Sequence, residues 1–423
     1  MDMLAESQTL DPGEALRMYC DWLLARRTEE PFFKCVEKEV PQYEWYMIFY
    51  PLRTLLHGYR ILGDKRYLEA ALPCLDAYVS EQLPNGGFTS NFRQCPTSRL
   101  DKREFQEIVR QGRVNLADAG SNVAGLIQAA ACAEGERKTR YLEAARRWFD
   151  EWATIWALPD GAYGNGIWYG HKINAPYTMA MSNVATAFSM FYRVTGESEY
   201  RTHAENCMRF QCQKHWLDDG RPVNLSVYPL PCEYAIDDYS RIFYLLEGLC
   251  WTHSVTEDVE LKQLIESRLK AWVSGENGIL SQWECGWFNF NSTDNFPHPG
   301  AWDNRLPILD ETDEERVRRR KFLPSSRLGI RLFWELAKSC GIPHGLAYCA
   351  RRVTADAKLA GIVEQAVQFL CTPRDARMAG VMSDTNRSYG AFAVQATGFA
   401  GLSLAEAIRP GSVFLDSENK FFP

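Results

Sequence analysis

No apolar run in this chain reaches the roughly 18 residues that a membrane span requires, so no spanning segment is expected. The basic residues form no long patch and the net charge is −7, which argues against a nucleic-acid partner. The start, Met1 to Gln8, lacks the charged and apolar regions of a signal peptide. C-x-x-C spacing is absent too: the 13 cysteines are an odd number and scattered singly, which excludes the usual zinc modules and a disulfide framework. Cys20, Cys74, Cys132, Cys250 and Cys340 fall inside helical patterns, where a free thiol packs as a small hydrophobe. These absences lead to the expectation of a reduced, cytoplasmic protein with no metal and no cofactor, and with neither nucleic acid nor a membrane as partner. Strand-like alternation is also missing, and no run of it competes with the helical periodicity.

What the chain does have is a repeated alternation of two kinds of helix. With 423 residues it exceeds the usual size of one domain, so one large closed architecture or two domains are both open. Segment 12–27 opens near Pro12 and carries Leu16, Cys20, Leu23 and Leu24 at helical spacing. Segment 43–61 is apolar nearly all round and reads as a buried helix, whereas 64–83 is amphipathic, with Pro73 placed to kink it. Buried and amphipathic segments then alternate over 115–133, 137–156, 175–195, 197–216, 236–253, 257–275, 321–340, 343–371 and 386–408. That makes twelve helices. Tyr67-Leu-Glu-Ala-Ala71 recurs as Tyr141-Leu-Glu-Ala-Ala145, with a looser copy beginning Glu199-Tyr200, each early in an amphipathic helix.

Connections from a buried helix to the next amphipathic one are tight, and the return connections are long: 84–114, 157–174, 217–235, 276–320 and 372–385. Loops of that length are uncommon unless functional. An inner ring of buried helices and an outer ring of amphipathic ones would gather every long loop on one rim, at the inner-helix N-termini. The expected fold is therefore all-α, an (α/α)6 toroid of six hairpins, in a single domain spanning 1–423. In this, and in turns such as Tyr192-Arg-Val-Thr-Gly-Glu-Ser-Glu-Tyr200, the chain resembles the six-hairpin glycosidase superfamily. That resemblance implies a carbohydrate-active enzyme. Cytoplasmic relatives include unsaturated uronyl hydrolases, which use carboxylates at the inner-helix rim, and sugar 2-epimerases. The segment Asn174-Ala-Pro-Tyr177 offers no acid where the uronyl hydrolases would place one, and the Arg and His pattern of the epimerases is not found.

Glu233, Asp237 and Asp238 stand around the start of the apolar helix 236–253. One Asp there serves as a cap; the others form a polar group that a cap does not explain. Glycoside hydrolysis needs one carboxyl kept as an acid and another ionised, and adjacent carboxylates are one route to that division. Neighbours on a helix point about 100° apart, so only one of Asp237 and Asp238 can face the cavity squarely. Asp118, in Asn115-Leu-Ala-Asp-Ala-Gly-Ser-Asn122, holds the corresponding place on the second buried helix, either as a cap or as the second carboxylate; Asn115 could equally serve as the cap. Glu44 and Trp45 open the first buried helix, where Trp45 suits sugar stacking and Tyr46 suits core packing.

The loops carry Trp168, His171, Trp283 and Trp287, as cavity-mouth walls or as staples holding the loops down. His171 with Tyr177 could form a base and acid for elimination from a uronic acid. Arg387 could clamp a carboxylate, or close a loop salt bridge. Six inner-helix N-termini on one rim would favour an anionic sugar. The leading expectation is a glycoside hydrolase on a short, uronate-containing oligosaccharide, with Asp118 and Asp237 or Asp238 as the carboxylate pair. The alternatives are a lyase, an epimerase or isomerase, a terpenoid cyclase suggested by Gln82-Leu-Pro-Asn-Gly-Gly-Phe88, and a non-catalytic helical scaffold.

Overall fold

The computed structural model describes residues 9–28, 33, 45–90, 92, 113–168, 171–174, 176–222, 242–276, 278–284, 287–288, 340–372 and 390–414. Twelve α-helices run through them: α1 (Pro12–Arg26), α2 (Trp45–Leu62), α3 (Lys65–Ser80), α4 (Leu116–Ala130), α5 (Gly135–Arg147), α6 (Thr178–Thr195), α7 (Ser198–Lys214), α8 (Ile242–Val255), α9 (Val259–Ser274), α10 (Ile342–Arg352), α11 (Ala357–Leu370) and α12 (Gly390–Ile408). Composition decides their layer. All 15 residues of α4 and 13 of the 18 in α6 are buried, against 3 of the 13 in α5. A helix apolar on every side is surrounded, and one with a single apolar stripe lies on the outside.

The buried helices pack in sequence, α2 on α4, α4 on α6, α6 on α8, α8 on α10, α10 on α12, and α12 returns to α2. The ring is closed. Outer helices pair with the inner helix they follow, except that α1 packs against α12, so the first and last helices of the chain form the sixth hairpin.

Small residues make this closeness possible. A Cβ on Gly398 would overlap backbone atoms of Tyr50 and Pro51, and one on Gly401 would overlap Thr54. Pro51, inside α2, has no N–H to give, and beside it Thr54 Oγ1 donates to Gly398 O at 2.6 Å. On α4, Gly120 lies against Asn183 of α6, and on α8, Gly248 lies against Ser182; an added Cβ at either would stand 2.9 Å from backbone atoms.

The outer ring is stitched by the residues of the repeat. Tyr67 Oη donates to Asp21 of α1 at 3.0 Å, Tyr141 Oη to Asp76 of α3 at 2.7 Å, and Tyr200 Oη to Asp150 at 3.0 Å. In each case the ring is in the core and the hydroxyl reaches the previous outer element, so one sequence motif does one structural job three times. Pro73 lies inside α3, which continues through it to Ser80.

One segment differs from the sequence expectation, and short strands are added to it. The stretch 343–371 is not one helix but two, α10 and α11, because Asp356 caps a new start by accepting from the N–H groups of Lys358 and Leu359 at 2.8 and 3.4 Å. The other expected helix, 321–340, lies outside the described residues apart from Cys340. Short strands also exist: β1 (Val114–Asn115), β2 (Gly166–Trp168) and β3 (His171–Ile173) form one antiparallel sheet, and β4 (Trp283–Glu284) pairs with β5 (Trp287–Phe288). At two or three residues each, they are too short for alternation to register.

Candidate active site at the inner-helix rim

The start of α4 shows how the rim is built. Asn115 is its N-cap: Oδ1 accepts from Asp118 N at 2.7 Å. Strand β1 pairs with β2, Val114 opposite Ile167 and Asn115 opposite Gly166. Gly166 has φ 84°, and a Cβ there would stand 2.6 Å from Val114 O, so only glycine fits. From the same hairpin Asn165 caps the next groups: its Oδ1 accepts from Ala117 N at 3.1 Å and its carbonyl from Leu116 N at 2.9 Å. The first N–H groups of α4 are thus spent inside the protein. The expected anion preference of free inner-helix N-termini has no basis at this helix.

Asp118 lies in the first turn, 7% exposed. Its Oδ2 accepts from Asn115 Nδ2 at 2.8 Å, and Arg113 Nη2 stands 3.6 Å from the same oxygen. Among the described residues Oδ1 accepts no hydrogen bond, so the two oxygens of this carboxylate are held differently. Asn115 Nδ2 also donates to Ser90 Oγ at 2.7 Å, and Ser90 is held at both backbone ends, donating to Arg113 O at 2.8 Å and accepting from Trp45 N at 2.9 Å. Across this cluster, the buried Tyr78 hydroxyl is pushed well above the usual tyrosine range, first by burial and then by the Asp118 and Glu81 carboxylates. It remains a neutral phenol.

Trp45 is a core residue, 1% exposed, and not a stacking wall. Its ring meets Tyr78 and Phe92 edge-on at 5.1 and 5.4 Å, and Nε1 donates to Glu81 Oε2 at 3.3 Å. Tyr46 is the less buried of the two, the reverse of the expectation. Position on a helix end could not reveal that Trp45 turns towards α3. Tyr177 stands at the start of α6, 4% exposed, with its N–H donating to Tyr163 O at 3.2 Å.

The β2–β3 register sets Trp168 opposite His171, and β4–β5 sets Trp283 opposite Phe288 and Glu284 opposite Trp287. The expected loop residues therefore occupy hairpin ends as cross-strand partners, with two residues joining each pair of strands. Glu44, Glu233, Asp237, Asp238 and Arg387 lie outside the described residues. Arg113 and Ser90 carry no sequence signal; only the fold brings them to Asp118.

Further along the inner helices the axis is closed. Tyr50, Phe243 and Phe399 meet with ring centroids 4.4 to 5.3 Å apart. Beyond them Arg53 Nη2 donates to Glu247 Oε1 at 2.6 Å, Tyr50 Oη to Glu247 Oε2 at 3.2 Å, and Arg53 Nε to Gln128 Oε1 at 3.1 Å. Gln128 also bonds His57, and His344 Nε2 stands 3.8 Å from Glu247 Oε1. Burial pushes the Glu247 carboxyl up, but Arg53 and then His344 outweigh it and hold it at about 2. His57 is kept neutral, by burial first and then by Arg53. All of these groups are buried, so this layer is solid across the inner helices. Past the end of α12, Glu406 accepts from Gly411 N and Val413 N at 2.8 and 3.0 Å, and the turn they make packs Phe414 against Trp251 and Tyr348.

Among the described residues no group of three or more His, Cys, Asp or Glu could hold a metal ion, and no helix is long and apolar enough to cross a membrane. No family model matches the chain, and no curated protein matches it in sequence. Solved structures do match. They include a cellobiose 2-epimerase from Bacillus thermoamylovorans (12% identity, 85% of this chain and 86% of that one, TM-score 0.56). An unsaturated glucuronyl hydrolase specific for heparin also matches (12% identity, 97% and 99%, TM-score 0.55). A third is an α-1,6-mannanase of a Salegentibacter species, in an inactive form with two adjacent aspartates replaced by alanine (12% identity, 93% and 99%, TM-score 0.54). At this identity the likeness is one of fold alone: the chain is an (α/α)6 toroid of six helical hairpins, as those structures are.

Proposed function

We propose that this protein is a glycoside hydrolase acting at the inner-helix rim on a short, uronate-containing oligosaccharide, with Asp118 and one of Asp237 and Asp238 as its carboxylate pair. The observation that carries the reading is the setting of Asp118. One of its oxygens is fixed by Asn115 beside Arg113, and the other is left open in the first turn of an inner helix. Both described neighbours of Oδ2 are donors, which suits an oxygen that accepts throughout a reaction cycle.

Ring geometry supports the partnership. Packed helix axes lie about 8–10 Å apart, so α4 and α8, with α6 between them, are separated by about 14–17 Å. The proposal assigns to Asp118 and to Asp237 or Asp238 an inward reach that brings this to the roughly 6.5–9.5 Å of an inverting pair. The mannanase neighbour, inactive without two adjacent aspartates, lends chemical precedent to the Asp237–Asp238 dipeptide on this fold. The glucuronyl hydrolase neighbour lends it to a uronate substrate. With the α4 N–H groups already bonded, recognition of the uronate carboxylate falls to cationic side chains, Arg387 first. His171, Tyr177, Glu233, Trp168, Trp283 and Trp287 are proposed substrate contacts, Glu44 remains a proposed contact at the start of α2, and Trp45 takes no stacking role.

The test is a panel of saturated and unsaturated uronyl disaccharides read by NMR, which separates hydrolysis from elimination and from epimerisation by product. Hydrolysis that Asp118→Asn lowers by about 10²–10⁴-fold supports the reading. A wild-type protein that epimerises or eliminates, or an Asp118→Asn variant with full activity, overturns it.

A further inference from the structure

An N-cap needs only an acceptor, and Ser, Thr or Asp would cap α4 as well as Asn does. Asn115 does more. It is fully buried, and each of its polar atoms is bonded. Oδ1 accepts from Asp118 N at 2.7 Å, while Nδ2 donates both to Asp118 Oδ2 at 2.8 Å and to Ser90 Oγ at 2.7 Å. These bonds also settle which way the amide points, because a flipped Asn115 would set its oxygen against the Asp118 carboxylate. Ser90 is in turn tied to the start of α2 through Trp45 N and to the segment before β1 through Arg113 O. Asn115 itself pairs with Gly166 in the rim sheet. One amide thus links α2, the rim sheet and α4 to a single carboxylate oxygen.

We infer that Asn115 is a positioning residue of the active site, whose amide nitrogen fixes the Asp118 carboxylate so that Oδ1 is presented to the substrate. This rests on the hydrolase reading above, with Asp118 as one of its carboxylates. A helix cap that only ended α4 would leave the carboxylate free to turn about its terminal torsion, which is broad for Asp. Among the described residues, the charged and titratable groups facing Asp118 are Arg113, from the segment before β1, and Tyr78 on α3 with Glu81 just past it. On α4 and α6, Ser121, which donates to Asp118 O, and Asn183, which donates to Ala117 O, are uncharged.

Asn115→Asp separates the two roles. It keeps the shape and the capping oxygen but removes the donor and sets a second carboxylate against Asp118. The variant should fold, with kcat lowered about 10–100-fold and KM nearly unchanged, as expected for a misplaced catalytic group. The acidic limb of kcat/KM should move to higher pH by about one unit, since like charges disfavour ionisation. Asn115→Ser, which keeps a cap and adds no charge, should lower kcat without that large displacement, and it carries the test if Asn115→Asp does not fold.

The assay is uronyl disaccharide hydrolysis with wild type and Asp118→Asn alongside. If both Asn115 variants fold and keep wild-type kcat and pH profile while Asp118→Asn is inactive, the positioning role is overturned and the hydrolase reading stands. If wild type hydrolyses nothing, or Asp118→Asn is fully active, both fall together.

Discussion

Glu247 shows what this fold does to a single side chain. Burial pushes its carboxyl up, yet Arg53 and the nearby His344 hold it at about 2, against 4.5 for a free glutamate. Because the folded value is the lower one, the stabilisation is present above about pH 4.5 and is lost as the pH falls towards about 2. Denaturant titrations between pH 5 and 2 should show this slope in wild type and lack it in Glu247→Gln. At neutral pH that variant strands the buried Arg53 cation and should lose about 3–5 kcal/mol, whereas replacing both partners with apolar residues of similar volume should be nearly neutral. Equal losses in the single and double variants would refute the pairing argument.

The residues that matter at the rim were unevenly legible. Asp118 and Asn115 stand in one short, small-residue stretch, and the need for a cap there made both visible. Arg113 and Ser90 were not visible, because nothing in a sequence says which loop backbone folds over which helix start. Trp45 was misjudged because aromatic residues look alike at a helix end whether they turn inward to the cavity or outward to the next helix.

At the scale of elements, the inner ring depends on residues that have almost no side chain. Gly398→Ala would drive a methyl into the α2 backbone beside Pro51 and should destabilise by about 1–3 kcal/mol or more. Gly361, on the outer helix α11, has open space around it, so Gly361→Ala should instead stabilise by about 0.4–1 kcal/mol. Thermal unfolding of the two variants checks both signs. In the outer ring, Tyr141→Phe deletes one of the three stitches, that to Asp76, at about 0.5–1.5 kcal/mol. The stitches explain why a repeat was visible at all: the same tyrosine recurs where α3, α5 and α7 reach back to the outer element before them. Where Leu261 and Leu359 follow the caps Asp258 and Asp356, the tyrosine is replaced and the repeat fades.

Over the whole molecule, the alternation of all-round apolar and one-sided helices carried the architecture, since layer membership follows from burial alone. The sixth hairpin, α1 against α12, was not legible, because it joins residues about a full chain length apart. The division of α10 from α11 was missed because the cap at Asp356 sits between two apolar runs that read as one. The same physics explains structural neighbours at 12% identity: the pattern of buried faces persists where the residues do not. The buried layer of Arg53, Glu247, His57 and His344 fills the inner ring beyond the tyrosine and phenylalanine contacts, which is why the proposed site is placed at the inner-helix starts.

The most direct measurement is the separation of the Asp118 carboxyl from those of Asp237 and Asp238 in a crystal structure with a uronate oligosaccharide bound. The account predicts one of the two within roughly 5–9.5 Å of Asp118, with both carboxyls facing the scissile bond. A separation well beyond that range for both, or an Asp118 whose Oδ1 is turned away from the sugar, would contradict it.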